Sequence, residues 1–303
     1  MSTAVQNPTA PAGARPDPIK AIPVRHYGQW ISAVVSIVLV GALIWSVATN
    51  DAIQWNVVGD HLFHENVLKG AVATLVLTGL SMLLGVIGGI LLAVMRLSSN
   101  RVLGTLSSGY IWLFRGTPVL VQIVLWFNLA LIFPRIGIGS FSADTNDLIA
   151  PFTAALLALA LNEAAYMAEI VRGGILSVDK GQTEAAHALG ISGSLTMRRI
   201  VLPQAMRVIV PPTGNEVVTM LKTTALVSVI GASELFTETS YFGAKNFTTF
   251  EMLLVACFWY LVMTSVLSFF QSRLEKRFGR GTSPGTAPRT RPFFLRNSEG
   301  GAA

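Results

Sequence analysis

E-A-A-H-A-L-G-I-S-G-S-L-T-M-R-R-I-V-L-P, residues Glu184 to Pro203, is a polar island in a chain that is otherwise mostly apolar. Local rules predict two short helices there with a glycine corner between them. Asp179 caps the first, with Gln182 three residues on as an imperfect capping box, and Thr183 to Leu189 is favourable helix material. Gly190 supplies the left-handed stop, and Ser192 or Ser194 caps a second helix that carries Arg198 and Arg199. That second helix is predicted to end or bend at Pro203, because proline lacks the backbone donor and clashes with the preceding turn. Helices shorter than about 12 residues are marginal in water, so the element needs something to pack against. A charged connector and a docking element both fit these features.

Composition decides what surrounds the island. Of 303 residues, 52% are hydrophobic and 13% charged, with a mean hydropathy of +0.58, far from the roughly 25% charged residues of a soluble domain. The chain is an integral membrane protein. Its one cysteine, Cys257, lies in an apolar run, so a disulfide framework is excluded and a core-filling role is expected. The net charge of +6 does not argue for nucleic acid, because the basic residues flank apolar runs instead of forming an aromatic-interleaved patch.

Read in order, residues 1–27 hold five prolines among alanines and polar residues and form a disordered tail. Trp30 to Ala48 is the first apolar run, close to the ~20 residues that a bilayer requires, with Tyr27 and Trp30 as interfacial anchors. It starts too far in and runs too long for an ordinary signal peptide and is retained. Further spans are predicted at Gly70 to Met95, Leu103 to Phe133, Ala150 to Val171, Val208 to Leu235 and Met252 to Phe270, six in all. The third is overlong. Arg115-Gly116-Thr117-Pro118 breaks it into two helices. Gly79, Gly85, Gly88 and Gly89 in the second allow close approach of neighbouring helices.

Lysine and arginine set the orientation. Arg15, Lys20 and Arg25 precede the first span, Arg96 and Arg101 follow the second, Arg172 to Arg207 surround the island, and seven basic residues from Arg273 to Arg296 follow the last. The opposite segments carry only Lys69, Arg135 and Lys245 against eight acidic residues that include Glu234 and Glu251. Both termini and the island are therefore expected in the cytoplasm. The organisation is an all-α, polytopic membrane helix bundle: a tail over 1–27, an extra N-terminal span and connector over 28–69, a membrane domain over 70–278 whose loop is 172–207, and a second disordered tail over 279–303.

Sequence motifs exclude several chemistries. There is no P-loop, no zinc-ligand spacing and no nucleophile elbow. If ATP drives the protein, another chain binds it. His61, His64 and Glu65 fit a solvated amphipathic stretch better than a metal site, and Asn246-Phe247-Thr248 is expected to be an idle sequon. Ionisable residues at membrane depth cost about 2.5–3.5 kcal/mol each to insert and are functional candidates by default. Here they are Arg115, Glu163, Glu169, Glu216 and Lys222. Asn162, Glu163, Tyr166 and Glu169 recur at helical spacing on the fourth span, and Asn215, Glu216, Thr219, Lys222 and Thr223 on the fifth. Asn162, Glu163, Tyr166, Glu216, Lys222 and Thr223 are the candidate substrate contacts. The competing reading pairs Glu216 with Lys222, or Arg115 with a glutamate, purely to hold the bundle together.

Glu184-Ala185-Ala186, three residues, Gly190, nine residues, then Ile200-Val201-Leu202-Pro203 resembles the E-A-A loop of ABC importer permeases. Arg115-Gly116-Thr117-Pro118 with Val121-Gln122, Tyr166 with Glu169 and Arg172-Gly173-Gly174-Ile175, Gly181-Gln182 and Pro203-Gln204-Ala205 are similar to the polar amino acid uptake group. Resemblance runs from Gly70 to Lys276 and leaves out the first span and both tails. Lys222-Thr223-Thr224-Ala225-Leu226 departs from it, many relatives having serine at one of the two positions 224 and 225. The resemblance implies a bacterial inner-membrane permease, not itself an enzyme, that imports a polar amino acid. It implies as partners two ATP-binding subunits that hold ATP and magnesium, a second permease subunit, identical or a sister chain, and a periplasmic binding protein; this chain has no cofactor. It makes the island a coupling helix, with Gln182, Glu184, Ala185, Ala186, Leu189, Gly190 and Arg198 at the ATPase contact. A secondary transporter using the buried carboxylates as proton sites is the alternative, but no internal repeat relates two halves of the chain.

Overall fold

The computed structural model describes residues 27–137 and 142–278; the predicted disordered tails lie outside these residues apart from Tyr27. Twelve α-helices make up most of the described chain. It divides into two compact units, residues 1–53 and 54–303. The first contains α1 (Tyr27–Ala48), a 22-residue apolar helix with no buried side chain.

The second unit begins with α2 (Trp55–Leu62) and α3 (Glu65–Leu97). His64 caps α3 by accepting from the Asn66 amide, and the His61 Nδ1 bonds the Val57 carbonyl at 2.9 Å. No group of three metal-ligating side chains occurs among the described residues. After α3 come α4 (Arg101–Gly116), α5 (Val119–Phe127), a two-residue antiparallel β1–β2 ladder (Arg135–Ile136 with Ala143–Asp144), α6 (Thr145–Leu148) and α7 (Pro151–Leu176). The glycines of α3 fix how α7 lies on it. A methyl at Gly85 would meet Glu163 Cγ at 2.5 Å, one at Gly88 the Ala164 Cβ at 3.0 Å, and one at Gly89 the Met167 Cβ at 2.4 Å. Rising numbers on one helix match rising numbers on the other, so α3 and α7 are parallel. Gly79, by contrast, faces open space.

Parallel α3 and α7 require that α4 and α5 together carry the chain back across once. Ser107 on α4 bonds the Leu92 carbonyl and Tyr110 the Leu161 carbonyl, both at 2.8 Å, so α4 runs antiparallel to both. The α4–α5 pair bends by 102° at the predicted break. Among the described residues four helices are long and apolar enough to cross a membrane, and counting each of two bent pairs as one span gives six, the number expected.

α8 (Lys180–Ala188) and α9 (Gly193–Thr196) form the island, and a π turn over Met197–Val201 leads into α10 (Leu202–Thr223). The expected end at Pro203 is not observed: helix continues from Gly193 to Ile230. Pro203 follows directly on the π turn, whose wider backbone path makes room for the ring. Pro211 and Pro212 interrupt the ladder inside α10, leaving the carbonyls of Arg207 and Val208 without their usual donors. A 3-10 segment (Thr224–Ile230) ends at Gly231 with φ +68°, so the fifth span stops short of Leu235. There α11 (Leu235–Asn246) starts at a 46° bend, followed by α12 (Thr249–Phe278). Cys257 is exposed on α12 and not in the core. That helix is apolar all round, so hydropathy alone does not tell its packed face from its outer one.

Candidate functional site

A cavity of 560 Å³ opens where the α4–α5 break faces α7 and α10. Pro118 creates the break: it has no N–H for the α4 ladder and holds Thr117 extended, at φ −112° and ψ 141°. The carbonyls at the end of α4 then need other donors. Two amide side chains supply them. Asn162 Nδ2 and Gln122 Nε2 each donate to the Phe114 carbonyl at 2.9 Å, and Gln122 also reaches Thr117 O at 3.1 Å and Thr117 Oγ1 at 2.7 Å. Asn162 further donates to Gln122 Oε1 at 3.2 Å.

Around this wall stand Arg115, Gly116, Thr117, Pro118 and Val119 from the break, with Leu159, Asn162, Glu163 and Tyr166 from α7. Glu216, Thr219, Met220 and Thr223 of α10 complete the lining. The Arg115 guanidinium lies 5.1 Å from the centre of the Tyr166 ring, a cation–π distance. Glu163 is only 4% exposed, and its Oε1 is buried with no hydrogen-bond partner in the chain. Glu163 thus lines the cavity while one of its carboxyl oxygens is sealed inside the helix seam without a partner. Two carboxyl groups and one guanidinium share the lining.

The island has its own geometry. Asp179 caps α8 by accepting from the Gly181 amide at 2.7 Å; the bond goes to the second helical residue and Gln182 makes none in return, so the cap forms without the capping box. Gly190 has φ +73°, and the Ile191 amide reaches back to the Ala186 carbonyl at 3.0 Å, closing the helix in a left-handed cap. Gln182, Glu184, Ala185 and Arg198 are exposed, and Leu189 presents 79% of its surface. Ala186 departs from expectation. It is 2% exposed, buried where α8 packs on α9 and the π turn, because this corner closes its own small core.

The chain matches the model of the binding-protein-dependent transport system inner membrane components over residues 85–280. It belongs to that family. Among curated relatives, the arginine transport system permease ArgU of Corynebacterium glutamicum is 46% identical over 285 residues, covering 93% of this chain and 90% of ArgU. The glutamine transport system permease GlnP of Escherichia coli is 37% identical and covers 69% of this chain and 91% of its own length. A solved amino acid ABC transporter with histidines superposes with a TM-score of 0.62 at 38% identity, over 70% of this chain and 94% of that one. The protein is thus a permease of the amino acid ABC transport kind, an integral membrane subunit that works with ATP-binding subunits. The ArgU match reaches further than the resemblance in the motifs. Coverage of 93% leaves fewer residues unmatched than the 26 preceding Tyr27, so α1 lies within it.

Five of the six candidate contacts in this permease, Asn162, Glu163, Tyr166, Glu216 and Thr223, meet at the one cavity; Lys222 is exposed and lies outside it. Helix geometry explains the difference. At 100° per residue Lys222 shares its azimuth with Asn215, seven residues back, and Asn215 faces α12, accepting from Gln271 Nε2 at 2.5 Å. Glu216 and Lys222, six apart, point to different sides and form no ion pair. Arg115 pairs with no glutamate either. The ion pairs among the described residues are Lys69–Glu65 at 2.6 Å and Arg172–Glu169 at 2.7 Å.

Two polar residues matter more than the sequence suggested. Gln122 is 5% exposed and holds the break together; its signal was the proline four residues earlier, which frees carbonyls that must find donors. Glu234, read as an extramembrane acid, is fully buried. It accepts from the Thr237 amide at 2.7 Å, Tyr260 Oη at 2.6 Å and Thr74 Oγ1 at 3.2 Å, joining α3, α11 and α12.

Proposed function

We propose that this permease imports an amino acid with a cationic side chain, and that the substrate crosses through the cavity between the α4–α5 break, α7 and α10. The observation that carries the reading is that Glu163 and Glu216 line one cavity together with Arg115. Glu163 and Glu216 meet the substrate's cationic groups, while Arg115 and the Thr117 hydroxyl meet its carboxylate; Asn162, Tyr166 and Thr223 line the rest. The arginine transport named for ArgU agrees with this choice of substrate. Lys222, outside the cavity, is not among the contacts.

Two ATP-binding subunits and a second permease subunit, identical or a sister chain, complete the complex, and a periplasmic binding protein delivers the substrate. ATP and magnesium belong to the partner subunits. Both termini and the island face the cytoplasm, residues 70–278 are the transporting core, and residues 28–69 add a span. Gln182, Glu184, Ala185, Leu189, Gly190 and Arg198 form the ATPase contact, with Ala186 supporting it from inside. Because α9 runs through a π turn into α10, a push delivered at the α8–α9 corner reaches Glu216 and Thr223 along one helical run from Gly193. Two discrete packings of that helix against α7 open the cavity to each side in turn.

Arginine uptake into proteoliposomes containing the whole complex tests this. Glu163→Gln is expected to lower uptake by about tenfold, the effect of roughly 1.4 kcal/mol of lost interaction. Unchanged uptake and unchanged stimulation of ATP hydrolysis would sink the assignment of Glu163.

A further inference from the structure

The side of Glu163 away from the cavity is built by α3. Gly85 gives the side chain room: a methyl there would lie 2.5 Å from Glu163 Cγ and 2.7 Å from its Cβ, closer than real Cβ atoms approach. Any larger residue must displace the glutamate stem or part the two helices. One turn earlier on the same face stands Ser81, which is fully buried. Its Oγ has no partner in the chain, a condition it shares with Glu163 Oε1. Unpaired buried polar atoms cost free energy, so two on neighbouring turns of one helix seam call for a common explanation.

Helix direction supplies it. Side chains lean toward the N-terminus of their own helix, and α3 and α7 are parallel, so Glu163 leans from the level of Gly85 toward that of Ser81. Thr78 occupies the preceding turn but spends its hydroxyl on the Thr74 carbonyl at 2.7 Å. Ser81 is thus the uncommitted donor on the turn toward which the Glu163 carboxyl leans.

We propose that Gly85 and Ser81 are positioning residues that set how strongly the site prefers a cationic over a neutral amino acid, by fixing where the Glu163 carboxyl sits. Gly85 provides the slot for the stem and Ser81 orients the buried oxygen. Neither residue lines the cavity, so both act through Glu163, and the inference rests on the reading of Glu163 as a substrate contact.

The test is competitive uptake of arginine and glutamine by the intact complex in proteoliposomes. Ser81→Ala removes an unpaired buried hydroxyl without adding volume. It is expected to leave the melting temperature within about 2 °C of the parent while lowering the arginine-to-glutamine uptake ratio about threefold or more. Gly85→Ala is expected to lower the ratio further, with some loss of stability. A Ser81→Ala complex with an unchanged ratio overturns the proposal, as does one in which uptake of both substrates falls in equal measure. Glu163→Gln, run in parallel, separates the two readings. If it leaves the ratio unchanged, the substrate role of Glu163 falls; if it alone shifts the ratio, only the role of α3 falls.

Discussion

Asn162 and Gln122 share one acceptor, the Phe114 carbonyl, each donating to it at 2.9 Å. Through that oxygen α7 grips the end of α4 at the point where Pro118 breaks the third span. The two amides make the wall of the cavity a fixed surface instead of a frayed helix end. Gln122→Leu keeps the size of the side chain but removes the donor, leaving the Phe114 carbonyl with Asn162 alone and the Thr117 carbonyl without its side-chain partner, a cost of about 1–3 kcal/mol. Thermal unfolding of the detergent-solubilised complex is expected to move down accordingly. The Asn162→Leu and Gln122→Leu double variant should lose less than the sum of the singles, since each removes part of one network.

Gly190 has φ +73°, yet a methyl built on it meets nothing within 4 Å. Its requirement is therefore conformational and not steric. Gly190→Asn is expected to be tolerated and Gly190→Ala to cost about 1–2 kcal/mol locally, while Gly190→Val should straighten the corner and cost more. Copurification with the ATP-binding subunit and substrate-stimulated hydrolysis should fall in that order, with membrane insertion unchanged. Equal coupling in all three variants would show that the corner is not the contact.

Glu234 depends on its hydrogen-bond donors because it is fully buried. Tyr260→Phe deletes the 2.6 Å bond and is expected to destabilise the permease by about 1–3 kcal/mol. Glu234→Ala, which strands the Tyr260 and Thr74 hydroxyls and uncaps α11, should cost more than Tyr260→Phe. Limited proteolysis or amide exchange at the α11–α12 junction reads out both changes.

Phe247 is the one non-glycine residue with positive φ among those described, at +57°, and its side chain is 95% exposed. It occupies the position after α11 where glycine is favoured, so Phe247→Gly is expected to raise stability by roughly 1 kcal/mol through relief of the left-handed strain. A differential melting measurement on the two complexes decides it; a lower melting temperature would mean the exposed ring has a packing partner in the assembled transporter.

Local chemistry in the sequence determined a good deal of this protein. Apolar run lengths and the Arg115–Pro118 break set six spans with the third one bent, and Asp179 and Gly190 set the corner of the island. These features depend on a few neighbouring residues, through caps, left-handed stops and missing donors, and such rules act before any helix meets another. Only the tertiary structure decided which faces met. It put Lys222 outside the cavity and Cys257 on the surface, buried Ala186 and Glu234, and seated Glu163 against Gly85. Membrane helices that are apolar on every side carry no hydrophobic stripe to mark their packed face, so partner choice there rests on small residues and shape. Gly85 and Gly79 are identical as residues in one helix; only the approach of α7 makes the first a slot and leaves the second facing open space.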